Sequence, residues 1–133
     1  MVQLYWQEIK IPKQFFTDDD YKGMSNNAKL LYGLLANKLE YEIELASEYK
    51  HYPDMREYMD RDATRDENGY IYVTYPTEEL ATLLNVSKST VTKLFKELEA
   101  ANLIERRRRG LGKPDNIYVG LAKDKDSPYY EGD

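Results

Sequence analysis

From Ser87 to Lys113 the chain gathers small hydroxyls and cations in a pattern suited to a polyanion. Ser89 with Lys93, and Thr92 with Lys96, stand four residues apart, a spacing that puts each pair on one face of a helix. Serine and threonine approach base edges closely, whereas lysine reaches phosphate as a mobile point charge. Downstream, Arg106, Arg107, Arg108 and Arg109 run together, and Lys113 follows beyond Gly110 and Gly112. A strand alternates its side chains, so Arg106 and Arg108 are expected on one face and Arg107 and Arg109 on the other. Only part of the run can then address one strand of DNA. The candidate contacts are Ser87, Lys88, Ser89, Thr90, Thr92, Lys93 and Lys96, together with Arg106, Arg107, Arg108, Arg109 and Lys113.

Other chemistries find little footing. The absence of cysteine removes thiol nucleophiles, disulfides, iron–sulfur clusters and thiolate zinc sites. The single histidine, His51, excludes multi-histidine metal sites and reads as a surface-loop residue. Asp18, Asp19 and Asp20 read as an exposed acidic turn rather than a metal site. The stretch Asp66–Gly69 has the look of a calcium loop, but aligning Gly69 with that loop's glycine puts Thr64 first and Tyr75 last, where Asp and Glu are required. Calcium is rejected. Tyrosine is abundant, 13 residues of 133, yet a tyrosine nucleophile for strand cleavage usually needs a metal cluster or convergent arginines. Tyr41, Tyr49, Tyr52 and Tyr58 read equally as interface residues and as half-buried packing. Without phosphate-loop or metal-ligand motifs the chain is expected to be no enzyme and to need no cofactor or metal.

The net charge of −5 argues against a nucleic-acid partner only until its distribution is considered. Residues 1–76 hold nine basic and fourteen acidic groups, whereas residues 85–122 hold eight basic and four acidic. Screening confines each charge to about 8–10 Å, so a basic edge on an acidic body still presents a positive field. At 133 residues the chain is expected to form one domain, residues 1–122, with a charged linker or tail over 123–133. No apolar run approaches the roughly 20 residues of a membrane span, and the opening lacks the form of a signal peptide. A soluble, intracellular protein is expected.

The elements that must position these residues can be read in order. Residues 3–16, with Trp6 as a packing residue, suggest an extended lead-in with a short strand. Ser25 suits the cap of a helix over about 26–45, with Ala28, Leu31, Leu35 and Leu39 in one stripe and Tyr32 widening it. Pro53 breaks any continuation, and Met55–Met59 suggests a short turn of helix. Tyr70–Tyr75 alternates as a strand. Thr77 reads as the cap of a short helix with Leu80, Leu83 and Leu84 inward, and Asn85-Val86 as a tight turn. Ser87 caps a third helix to about Ala101, with Val91, Leu94, Phe95 and Leu98 inward and Asn102 at its end. Strands around Leu103–Arg106 and Ile117–Val119 flank a glycine-rich basic loop.

This order, helix, strand, helix, turn, helix and basic hairpin, is that of a winged helix-turn-helix of the α+β class. The last helix is narrow enough for a major groove roughly 12 Å wide. Plainer readings stand beside it: the arginine run as a solvated strand face, and the last helix as part of a protein-binding winged domain.

Two stretches also resemble a known family. Tyr21-Lys-Gly-Met-Ser-Asn-Asn-Ala-Lys-Leu-Leu-Tyr-Gly33 is similar to the opening helix of RepA_N-type plasmid replication initiators. Leu103–Arg106 through Gly110-Leu-Gly-Lys-Pro-Asp-Asn-Ile-Tyr-Val119 resembles their wing, and Tyr70–Ala101 matches the elements between. The resemblance spans about residues 5–120 and departs around Ala46–Met59, which is longer and richer in tyrosine. It implies a cytoplasmic bacterial protein that binds double-stranded DNA at origin repeats, usually as a homodimer, to initiate replication. It also implies a separate carboxy-terminal domain that recruits host replication factors. The contrasting functions are a winged-helix transcriptional regulator, which differs only in its genetic address, and a dimerising or bridging protein-interaction module.

Overall fold

The computed structural model describes residues 8–50 and 65–123. Its described helices are α1 (Gln14–Thr17), α2 (Asp19–Lys22), α3 (Asn26–Lys50), α4 (Thr77–Leu84) and α5 (Lys88–Ala100). Strands β1 (Ile104–Arg107) and β2 (Asn116–Val119) close the fold as an antiparallel hairpin. This is the winged helix-turn-helix of the α+β class. The readings for Trp6, His51, Tyr52, Met55–Met59 and residues 124–133 lie outside the described residues.

The core is built where α3 and α4 pack on α5. Ala28, Leu31, Tyr32 and Leu35 of α3 are buried against Leu80 and Ala81 of α4 and Val91, Leu94, Phe95 and Leu98 of α5. Both inward stripes follow the 3.6-residue period that the apolar residues trace in sequence. Glu97 ties two of these helices together, because its carboxylate accepts from the Ser25 amide at 2.8 Å and the Ser25 hydroxyl at 2.7 Å. The Ser25 hydroxyl oxygen also accepts from the Ala28 amide at 3.2 Å, so the α3 cap is itself held by α5.

Several expectations are corrected. Among the described residues of the lead-in there is no strand: residues 8–12 are irregular and α1 and α2 follow. Asp18 is the cap of α2, accepting from the Asp20 amide at 2.9 Å, and Asp19 and Asp20 occupy its first turn, where the helix dipole favours anions. Helix α3 runs five residues past the expected end, to Lys50, because residues 40–50 contain neither glycine nor proline. Tyr70–Tyr75 is no regular strand: only isolated bridges join Ile71 to Arg65 and Val73 to Ile117. Thr77 is the first helical residue rather than the cap, which is Pro76 without a side-chain bond. On α4 Leu80 and Ala81 are buried and Leu84 packs partly buried against the core, as expected of Leu80 and Leu84, while Leu83 is 53% exposed.

The Val73–Ile117 bridge is reciprocal, each amide donating to the other's carbonyl at 2.8 Å. It fastens β2 to the segment that enters α4. Lys38 of α3 donates to the Thr74 carbonyl and lies over the Tyr75 ring, which holds that segment from the other side. At Gly33, an added Cβ would meet Ile9 Cδ1 at 3.2 Å and Ile11 Cγ1 at 3.3 Å, so the lead-in lies directly on α3. Among the described residues, no helix is long and apolar enough to cross a membrane.

Candidate nucleic-acid interface

Helices α4 and α5 meet at Asn85, whose left-handed backbone (φ 55°) ends α4 and turns the chain. Asparagine tolerates this region better than most residues. Ser87 then caps α5: its hydroxyl oxygen accepts from the Thr90 amide at 3.1 Å. The same oxygen lies 3.0 Å from the Ser89 hydroxyl and 2.9 Å from that of Thr90. Ser87→Ala is therefore expected to cost about 1 kcal/mol of stability, read as a lowered midpoint in urea. An unchanged midpoint would show that the hydroxyl carries no capping duty.

With 100° per residue, Lys88, Ser89, Thr92, Lys93 and Lys96 fall within an arc of about 140°. All five are exposed, and the buried stripe Val91, Leu94, Phe95 and Leu98 lies on the opposite side. Thr90 is half-buried beside this arc. Lys88 approaches Glu78 at 3.8 Å, a solvated pair whose energetic worth is small. Thr92 donates to the Lys88 carbonyl at 3.3 Å. From Lys88 to Lys96 the helix carries three lysines and no acid.

The hairpin divides its cations. The alternation of Arg106 and Arg107 across the strand is as expected. Arg106 turns inward: its Nη2 donates to Glu99 Oε1 at 2.6 Å, its Nε to the same oxygen at 3.0 Å, and its guanidinium lies 4.6 Å from the Phe95 ring centroid. Arg107 lies on the outer face, 4.8 Å from the Tyr118 ring centroid, 3.7 Å from Asp66 Oδ2 and 3.9 Å from Glu105 Oε1. Arg108 and Arg109 lie beyond the end of β1, exposed like Lys113. None of these three makes a side-chain ion pair among the described residues. Gly110 (φ 129°) and Gly112 (φ 75°) adopt backbone that side chains disfavour, and Leu111 between them is 91% exposed. The tip is thin and cationic.

The structure also brings in residues that sequence reasoning passed over. The Asp66 side chain is only 3% exposed. Its Oδ1 accepts from the Asn68 and Tyr70 amides at 2.9 Å each, and its Oδ2 from the Tyr118 hydroxyl at 2.9 Å. Burial alone would raise its pKa, but the hydrogen bonds from Tyr118, Tyr70 and Asn68, with the Arg107 charge, hold it below the ordinary carboxylate value. Tyr118 is pushed up, first by burial and then by its bond to Asp66 and that carboxylate's charge. The signal available in sequence was the Asp-x-Asn-Gly turn at Asp66–Gly69, an aspartate placed to cap its own turn. Among the described residues no group of three or more His, Cys, Asp or Glu is placed to hold a metal ion.

This arrangement has counterparts. A family model described as "Replication initiator protein A (RepA) N-terminus" matches residues 7–131. A curated relative, a "41 kDa protein" of Lactobacillus helveticus, is 26% identical over 123 residues, which cover 88% of this chain. The matched region spans 29% of that relative's length. A solved structure described as a Rep–DNA complex is 32% identical with a TM-score of 0.64, over 90% of this chain and 81% of that one. The N-terminal domain of a DNA-binding protein is 30% identical with the same TM-score, over 95% and 90% of the two chains. A structure described as an MDR initiator is 28% identical, again with a TM-score of 0.64, over 90% and 81%.

Proposed function

Since the chain belongs to the family of replication initiator protein A N-termini, we propose that it binds double-stranded DNA at plasmid origin repeats and so takes part in initiating replication, without catalysing a reaction itself. The observation that carries this is the exposed arc of α5, three lysines interleaved with hydroxyls and free of acid from Lys88 to Lys96, beside a hairpin with a cationic tip. Ser89, Thr90, Thr92 and Lys93 address the major groove, with Ser87 at the helix start. Lys88 and Lys96 take phosphates, and the wing tip with Arg108, Arg109 and Lys113 lies along the adjacent groove and backbone. The binding unit is residues 1–122, and residues 123–133 serve as a linker in the bacterial cytoplasm.

The test is fluorescence anisotropy with an origin-repeat duplex and a scrambled duplex across a salt series. Tighter binding to the repeat, with a log–log slope of about −0.9 per neutralised phosphate, is the expected result. Equal weak binding to both would overturn the sequence-specific reading, and no binding at low salt would overturn DNA binding altogether. Lys93→Ala is expected to cost about 1–3 kcal/mol and to relax discrimination at one base position. A uniform loss across sequences would move Lys93 to the phosphates, and no loss would remove it from the interface.

A homodimer is the expected assembly, with host replication factors engaged through a separate domain. Tyr41 and Ile43, 59% and 44% exposed on the distal part of α3, support pairing of copies there. Sedimentation with and without DNA decides: a monomer under both conditions would end that reading.

A further inference from the structure

The four consecutive arginines are held by the fold in two different ways. Arg106 and Arg107 have their guanidinium groups against named partners, on opposite faces of β1. On the inner face Arg106 is 4.6 Å from the Phe95 ring and donates twice to Glu99, both residues of α5. On the outer face Arg107 lies over Tyr118 with Asp66 and Glu105 within 4 Å. The register sets Glu105 opposite Tyr118 and Arg107 opposite Asn116, so these four share one face. Asn116 Oδ1 is the buried side-chain polar atom among the described residues that finds no partner.

Charge decides what these two arginines can contribute. Arg106 is balanced by Glu99, and Arg107 by two carboxylates, so the outer cluster of Asp66, Glu105 and Arg107 carries a net negative charge. Affinity from counterion release requires cations that neutralise phosphates, and a cluster already neutral or negative adds little of it. Arg108, Arg109 and Lys113, beyond the strand ends, lack such partners among the described residues.

We propose that Arg106 and Arg107 are positioning residues rather than phosphate contacts. Arg106 fastens the wing to the binding helix, and Arg107, through Tyr118 and Asp66, fastens it to the turn before α4. Together the two mounts set the angle at which Arg108, Arg109 and Lys113 meet the backbone while α5 occupies the groove. Asp66 and Tyr118 belong to the outer mount, so the acidic first half of the chain contributes to binding through geometry.

The proposal rests on the DNA-binding reading, and the experiment separates the two. Salt-series titrations of the full chain on origin-repeat and scrambled duplexes are made for the wild type, for R106A, R107A, R108A, R109A, D66N and Y118F, and for the double variant R107A/D66N. Circular dichroism confirms that each is folded; Y118F removes only one hydroxyl and covers the case of D66N failing to fold. R108A and R109A are expected to flatten the slope by about 0.9 each. R106A, R107A, D66N and Y118F should leave the slope of the wild type while lowering the preference for the repeat about tenfold, and D66N should add nothing to R107A. A slope flattened by about 0.9 in R106A or R107A would overturn the proposal, as would an unchanged preference in all four mount variants. A wild type that binds neither duplex would instead sink the DNA-binding reading itself.

Discussion

Alanine at Arg108, Arg109 and Lys113 together should lower affinity for duplex DNA about 500-fold at 0.1 M salt. Each cation that neutralises a phosphate contributes about 0.9 to the log–log salt slope, so three contribute about 2.7 decades between 0.1 M and the 1 M reference. At 1.4 kcal/mol per decade this is close to 4 kcal/mol. The loss should appear on both cognate and scrambled duplexes, because phosphate contacts carry no base information. The three side chains lie exposed around a loop whose glycines keep it narrow, so thermal unfolding should be nearly unchanged. A slope that stays at its wild-type value in the triple variant would show that the wing tip does not meet the backbone.

The second large effect is on folding. Phe15 is fully buried, with its ring 5.3 Å from that of Tyr21 and 4.9 Å from that of Tyr32, the latter edge-on. Those tyrosines secure the other end of the described chain: the Tyr32 hydroxyl donates to the Gly120 carbonyl at 2.7 Å, and the Tyr21 hydroxyl accepts from the Lys123 amide at 3.0 Å. Phe15→Ala removes the ring between them and is expected to cost about 3–5 kcal/mol. Native proteins have only about 5–15 kcal/mol in total, so much of the margin would go. Urea unfolding followed by tyrosine fluorescence measures it, and a loss below about 1 kcal/mol would mean that the cavity collapses or that Phe15 does not bridge the two ends.

What could be read from residue order was local. The Ser87 cap, the inward stripe of α5 and the helix ends at Asn85 and Asn102, both left-handed in the structure (φ 55° and 58°), follow from spacing and side-chain chemistry within a few residues. The failures came where distant partners decide. Tyr70–Tyr75 alternates like a strand, but only Val73 meets a ladder partner on β2, so the pattern outran the pairing. Leu83 has the spacing of a core residue, yet its side of α4 meets solvent. Thr77 has the chemistry of a cap, but Pro76 takes the position. At the candidate interface, the exposed face of α5 is legible from i, i+4 spacing alone. The engagement of Arg106 by Glu99, and of Arg107 by Asp66, depends on contacts 7 and 41 residues apart in sequence, and no periodicity signals the second.

The exposed arc of α5 has one more consequence. Ser89, Thr92, Lys93 and Lys96 contribute nothing to the core; among the described residues their side-chain bonds are those of Ser89 with the Ser87 hydroxyl and Thr92 with the Lys88 carbonyl. Substitutions at such surface positions typically change stability by no more than about 0.5 kcal/mol. On the proposed reading, the residues that would choose a target, Ser89, Thr92 and Lys93, are thus uncoupled from those that hold the fold, which sit in the stripe behind them and in the Ser25–Glu97 junction. A lineage carrying this domain would then exchange its address one residue at a time without passing through an unfolded intermediate. On the same reading, divergence of origins would be followed at these three positions while the frame stays still.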